Sequence, residues 1–164
     1  VFADIIESSQ FGYELNNIAK YVYNETGMNP RIAVERNVGA ATIFVLKTLN
    51  YPDLFRMVDF TAAATYEHGN VGWLTTEATR RKMLDDLALA IRQGLVKLYD
   101  EEQIRQLMSF STIKGKGQAP RNKKDDIVIA SAIAWQVQML TPTQFLDDFN
   151  IEEFREEQKK WRFK

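Results

Sequence analysis

The chain of 164 residues has no cysteine and a single histidine, His68. Without cysteine there can be no disulfide, no thiolate nucleophile and no cysteine-bound zinc. One imidazole argues against a histidine-rich metal site and against a Ser-His pair elsewhere in the chain. No apolar run reaches the roughly 18 residues that would suggest a membrane span. The formal net charge is −1, so no global field attracts nucleic acid, and any such binding must use a local basic patch. Neither a signal peptide nor an initiator methionine opens the chain. Its first residues, Val1-Phe2-Ala3-Asp4-Ile5-Ile6, read as the middle of a strand, as expected for a piece of something longer. The GKG of residues 115–117 lacks the GxxxxGK[ST] spacing of a phosphate-binding loop, so no ATPase activity is expected.

What is present is an ordinary globular composition, 45% apolar and 26% charged. The length favours one domain with a sizeable core. Residues 1–6 read as a strand, after which Ser8 and Ser9 offer caps to a helix carrying Phe11, Leu15, Ile18 and Val22 at helical spacing. Gly27 fits its end and Pro30 prevents continuation. Arg31 to Glu35 reads as a short apolar strand ending in a carboxylate. A turn at residues 36–39 and a helix at 40–49 follow, a strand–turn–helix unit of the kind that builds parallel sheets. Leu54 to Phe60 reads as another strand, and residues 61–75 as a surface excursion that includes His68. Thr76 can cap a helix with apolar positions Met83, Leu84, Leu87, Ala88 and Ile91, closed by Gly94. Leu95 to Tyr99 reads as a short strand, and Asp100 as the cap of a helix over 101–110. A loop over 111–124 leads into a buried helix over 126–140, and a charged, aromatic-studded tail occupies 141–164.

The helix at 126–140 is preceded by Lys123-Lys124-Asp125-Asp126. Alone, the acidic pair reads as a helix cap. The doublet Asp85-Asp86 shows that paired aspartates carry little information in themselves, since a solvated mid-helix face explains it. Placement gives the first pair more weight. Ligands collect at the carboxyl ends of strands in an open parallel sheet, where Glu35 stands. Oxygen ligands from separate elements suit Mg²⁺ or Mn²⁺, and two such ions can promote phosphodiester cleavage. The competing reading is that Glu35 merely pairs with Arg31 or Arg36. The loop at 111–124 carries five cations, Lys114, Lys116, Arg121, Lys123 and Lys124, and no anion. Beside an acidic site that is a phosphate-guiding edge; otherwise it is a soluble linker.

Three stretches together resemble the nuclease domain of phage large terminases, the DNA-packaging motors of tailed phages. They are IAVERNVGAA, then GWLTTEATRRKMLDDLALAIRQGLVKLYDEEQIRQLMSF, then GKGQAPRNKKDDIVIASAIAW. The resemblance runs over residues 1–140 and leaves the tail, 141–164, without a counterpart. It implies an α/β, RNase H-like fold, with a central mixed β-sheet flanked by α-helices. It also implies a Mg²⁺- or Mn²⁺-dependent endodeoxyribonuclease that cuts concatemeric viral DNA during genome packaging. Of the family's three acidic positions, the second falls on Glu35. The third falls on the pair, with Asp126 the principal ligand and Asp125 auxiliary. The first is expected on a strand preceding Val1, and Asp4 does not replace it. Lys114, Lys116, Arg121, Lys123 and Lys124 would guide double-stranded DNA, with Arg80, Arg81 and Lys82 as weaker candidates. Portal and small terminase subunit are the implied partners, in the host cytoplasm at the viral procapsid, with no membrane. The alternatives are a non-catalytic module docking on DNA or portal, and another RNase H-like nuclease such as a junction resolvase.

Overall fold

The computed structural model describes residues 6–57, 69–113, 116–118 and 125–141. Its elements are α1 (Ser8–Thr26), α2 (Ala40–Thr48), β1 (Arg56–Met57), β2 (Asn70–Val71), α3 (Glu77–Arg92), α4 (Glu101–Ser109), β3 (Ser111–Ile113), β4 (Lys116–Gln118) and α5 (Asp126–Leu140). Helix dominates. This overturns the expected RNase H-like α/β arrangement: among the described residues there is no central mixed β-sheet flanked by helices. The strands form only two antiparallel pairs, β1 with β2 and β3 with β4.

Hydrogen bonding along the expected strand at 31–35 accounts for the difference. Ile32 donates to Asp53 O and accepts from Phe55 N, at 3.0 and 2.9 Å. Two residues later the partner changes: Val34 O accepts from Trp73 N at 2.8 Å, and Arg36 N donates to Trp73 O at 2.7 Å. The segment therefore makes isolated parallel bridges, Ile32 with Leu54 and Glu35 with Trp73, and no continuous ladder. The expected strand at Leu95–Tyr99 is also missing, because its first residue is consumed by the end of α3. Gly94 takes a left-handed φ of 71°, Gly94 N donates to Ile91 O and Leu95 N reaches back to Ala90 O at 2.9 Å. That is a Schellman closure, and it leaves Leu95 and Tyr99 exposed. Of the strand expected over 54–60, Arg56–Met57 is formed and 58–60 lie outside the described residues, as do 1–5, His68 and the tail from 142.

Local chemistry at the helix ends matches the expected boundaries closely. Gly27 closes α1 at a φ of 72°. Thr76 caps α3 in a box with Thr79, and Asp100 caps α4 through Gln103 N. At the start of α1 the cap is Glu7, whose carboxylate accepts from Ser9 N and Gln10 N, so Ser8 and Ser9 lie inside the first turn. Within α3 it is Ala90 rather than Ala88 that is buried with Met83 and Leu87.

Two apolar clusters hold these elements together. Phe55, Trp73, Met83, Leu87, Ile129, Ala132, Ile133 and Val137 form the larger, where α3 packs on α5. Val34, Ile43, Leu46 and Val71 form the smaller, against α2. Trp73 is 3% exposed, its ring 6.2 Å from that of Phe55. Residues 69–75 thus run through the core rather than over the surface as the sequence suggests. Helix α5 is buried on most sides, as its near-continuous apolar run requires. Among the described residues no helix is long and apolar enough to cross a membrane.

Candidate functional site

Helices α1 and α5 do not close on each other; a cavity of about 1320 Å³ separates them. Phe11, Leu15 and Val22, the apolar stripe of α1, form one wall, and Ile129, Ile133 and Val137 of α5 form the other. The 31–35 segment runs between them. Six charged residues line the same cavity: Arg31 and Asp53, paired with each other, and Glu35, Arg80, Asp125 and Asp126. The structure thus puts the two halves of the expected acidic site, from separate elements, on the lining of one cavity.

Glu35 is positioned by the turn that follows it. Its carbonyl accepts from Gly39 N at 2.9 Å, and the turn leads at once into α2. Glycine is required there: a Cβ at position 39 would lie 2.2 Å from Val34 Cγ1 and 2.7 Å from Glu35 O. Asn37 fastens the turn to the segment before α3. Its amide donates to Thr75 O at 2.8 Å, and its carbonyl oxygen accepts from Thr75 N at 2.9 Å. The competing pairings of Glu35 are not made. Arg31 binds Asp53 at 2.7 Å and Thr141 at 3.0 Å. Among the described residues nothing hydrogen-bonds or ion-pairs with the Glu35 carboxylate.

The acidic pair divides its labour. Asp125 precedes α5 yet makes no side-chain cap bond, which corrects the reading of the pair as a cap. Its Oδ2 instead accepts from Arg80 Nη2 at 2.8 Å. The bond that a cap would supply comes from α4: Ile127 N, in the first turn of α5, donates to Gln106 Oε1 at 3.0 Å. Gln106 is 6% exposed, so this contact is buried. Asp126, the first residue of α5, is exposed and has no partner among the described residues.

For a divalent cation the donor set has the right chemistry, since Glu35, Asp125 and Asp126 offer only carboxylate oxygens, the ligands that Mg²⁺ and Mn²⁺ favour. Convergence is incomplete. Among the described residues no three acidic or histidine side chains gather closely enough to hold an ion. Glu35 and Asp126 are the two that fit as ligands, being uncommitted and on the same cavity.

Of the expected DNA-guiding cations, Arg80 is taken up by Asp125. Lys82 pairs with Asp86 one turn along α3, and Arg81 is exposed. Lys116 stands in β4, so the expected loop begins as a hairpin. Lys114, Arg121, Lys123 and Lys124 lie outside the described residues. Asp86 is more than a solvated face. It also accepts from Gln136 of α5 at 2.7 Å, and Gln136 is 4% exposed. The Lys82 ammonium and, after it, the Gln136 amide hold the Asp86 carboxyl below its usual range, against the opposing effect of burial.

The roles of Arg80 and Gln106 were not visible in the sequence. Each depends on a partner in another helix, and neither residue belongs to a local motif that would mark it. Comparison of the chain with family models, curated proteins and solved structures gave no match.

Proposed function

We propose that this chain is a divalent-metal-dependent DNA endonuclease, of the kind that cuts concatemeric viral DNA during packaging. One observation carries the reading. Glu35 and Asp126, each without a partner among the described residues, come from elements far apart in sequence and line a single cavity. Glu35 and Asp126 would hold the ion, with Asp125 auxiliary and its charge compensated by Arg80. A bound Mg²⁺ or Mn²⁺ supplies Lewis-acid activation of a phosphodiester. The basic residues at 114–124 would hold the phosphate backbone without selecting sequence. The resemblance of IAVERNVGAA and of the KKDD helix to terminase nucleases supports the same reading; the helix-dominated fold, which is not the one that resemblance implies, counts against it.

A second reading is a non-catalytic module that docks on DNA or on a portal. The Arg80–Asp125 ion pair favours it, because it neutralises one carboxylate of the site. Incubation of supercoiled plasmid with Mn²⁺, Mg²⁺ or EDTA separates the two. Nicking with either metal and none with EDTA supports the endonuclease. Retardation of DNA without any nicking would favour docking.

A further inference from the structure

We infer that Gln106 is a positioning residue for the candidate metal site, although it lies on α4 and does not line the cavity. The inference rests on the metal-site reading above. A helix start needs acceptors for its free N–H groups, and an aspartate at the N-cap position ordinarily provides one. Here Asp125 occupies that position and does not do so. The acceptor is the Gln106 carboxamide, 3.0 Å from Ile127 N in a buried contact.

The substitution has a chemical consequence. A carboxylate folded back onto its own helix N–H groups spends its lone pairs there and is poorly available to an ion. With Gln106 as the acceptor, Asp125 turns to Arg80 and Asp126 stays uncommitted at the cavity. The Gln106 carboxamide is held in turn, since its Nε2 donates to Glu102 Oε1 at 3.3 Å. It therefore acts on the ligands indirectly, by satisfying the start of α5 so that the Asp125 carboxylate is not needed there. An apolar residue at position 106 would leave Ile127 N–H without an acceptor and draw the Asp125 carboxylate back to the helix.

Calorimetric titration with Mn²⁺ tests this on the whole chain, with Gln106→Leu, Gln106→Asn and Gln103→Ala beside the parent. Gln106→Asn keeps a buried amide one methylene short of Ile127 N–H and guards against loss of fold in Gln106→Leu. Gln103→Ala removes the neighbouring α4–α5 bond to Ser131 Oγ, 2.8 Å long, without touching the start of α5. The expected result is at least roughly tenfold weaker Mn²⁺ binding in both position-106 variants and unchanged binding in Gln103→Ala. The Ile127 amide proton, followed by NMR, should lose its protection only in the first two. Parent-like Mn²⁺ affinity in a folded position-106 variant would overturn the role of Gln106 and leave the metal site standing. Equal loss in Gln103→Ala would reduce Gln106 to a general packing contact. Absence of Mn²⁺ binding by the parent would overturn the metal site and this inference together.

Discussion

Arg80 Nη2 lies 2.8 Å from Asp125 Oδ2, so the side chain placed to cap α5 is an ion-pair partner of α3 instead. The link spans 45 residues of sequence and ties the helix bearing the acidic pair to the helix packed along it. It also makes the two adjacent aspartates inequivalent: Asp125 is compensated, and Asp126 has no partner among the described residues.

Arg80→Met should separate the electrostatic from the structural part of that link. The two side chains are 31% and 27% exposed, between the surface and the interior. A loss of about 1 kcal/mol in urea denaturation is expected, near the upper end for exposed pairs. With the guanidinium gone, Asp125 and Asp126 both face the cavity uncompensated, and Mn²⁺ should bind more tightly. Weaker Mn²⁺ binding would mean that Asp125 must be held by Arg80 to serve the site.

Gly39→Ala should be costly in two ways. The added methyl would overlap Val34 Cγ1 and Glu35 O, and overpacking of this kind costs about 1–3 kcal/mol. Because the clash falls on the Glu35 backbone, Mn²⁺ affinity should fall as well. A parent-like denaturation midpoint would show that the turn can relax around the methyl.

Acid should weaken the fold partly through Asp86. Its carboxyl is held below the usual range by the Lys82 and Gln136 bonds. A folded-state value below the unfolded one gives stabilisation that is complete above the unfolded value and lost as pH falls through the folded one. The window is the acid limb, below about pH 5. Glu7 and Asp100 shift in the same direction, led by the Ser9 hydroxyl and the Gln103 N–H respectively. The parent alone therefore does not isolate Asp86. Asp86→Asn should flatten the limb without abolishing it, and an unchanged pH dependence would remove Asp86 from the account.

The helices were legible in the sequence because their signals are local. Thr76, Asp100, Gly27 and Gly94 sit at or beside the ends they determine, and the apolar run of α5 fixes its burial. The strands were not, because pairing is decided by distant partners. The 31–35 segment has the composition of a strand, but its bonds go first to residues 53–55 and then to 73, so no ladder develops. Leu95 looks like the start of a strand and is the last contact of a helix cap. Trp73 was read with the small polar residues around it, whereas its ring belongs to the core. In the candidate site, Glu35 was singled out as the end of a strand that does not form, and the acidic pair by its place before a buried helix. What each carboxylate binds was not, since Arg80 and Gln106 approach from other helices.

The central claim is that Glu35 and Asp126 hold one divalent cation between them, and Mn²⁺ titration of the parent, Glu35→Gln and Asp126→Asn tests it most directly. The parent should bind, and each variant should lose at least roughly tenfold in affinity while keeping the parent's denaturation midpoint. Parent-like binding in either variant, or no binding by the parent, would contradict the claim.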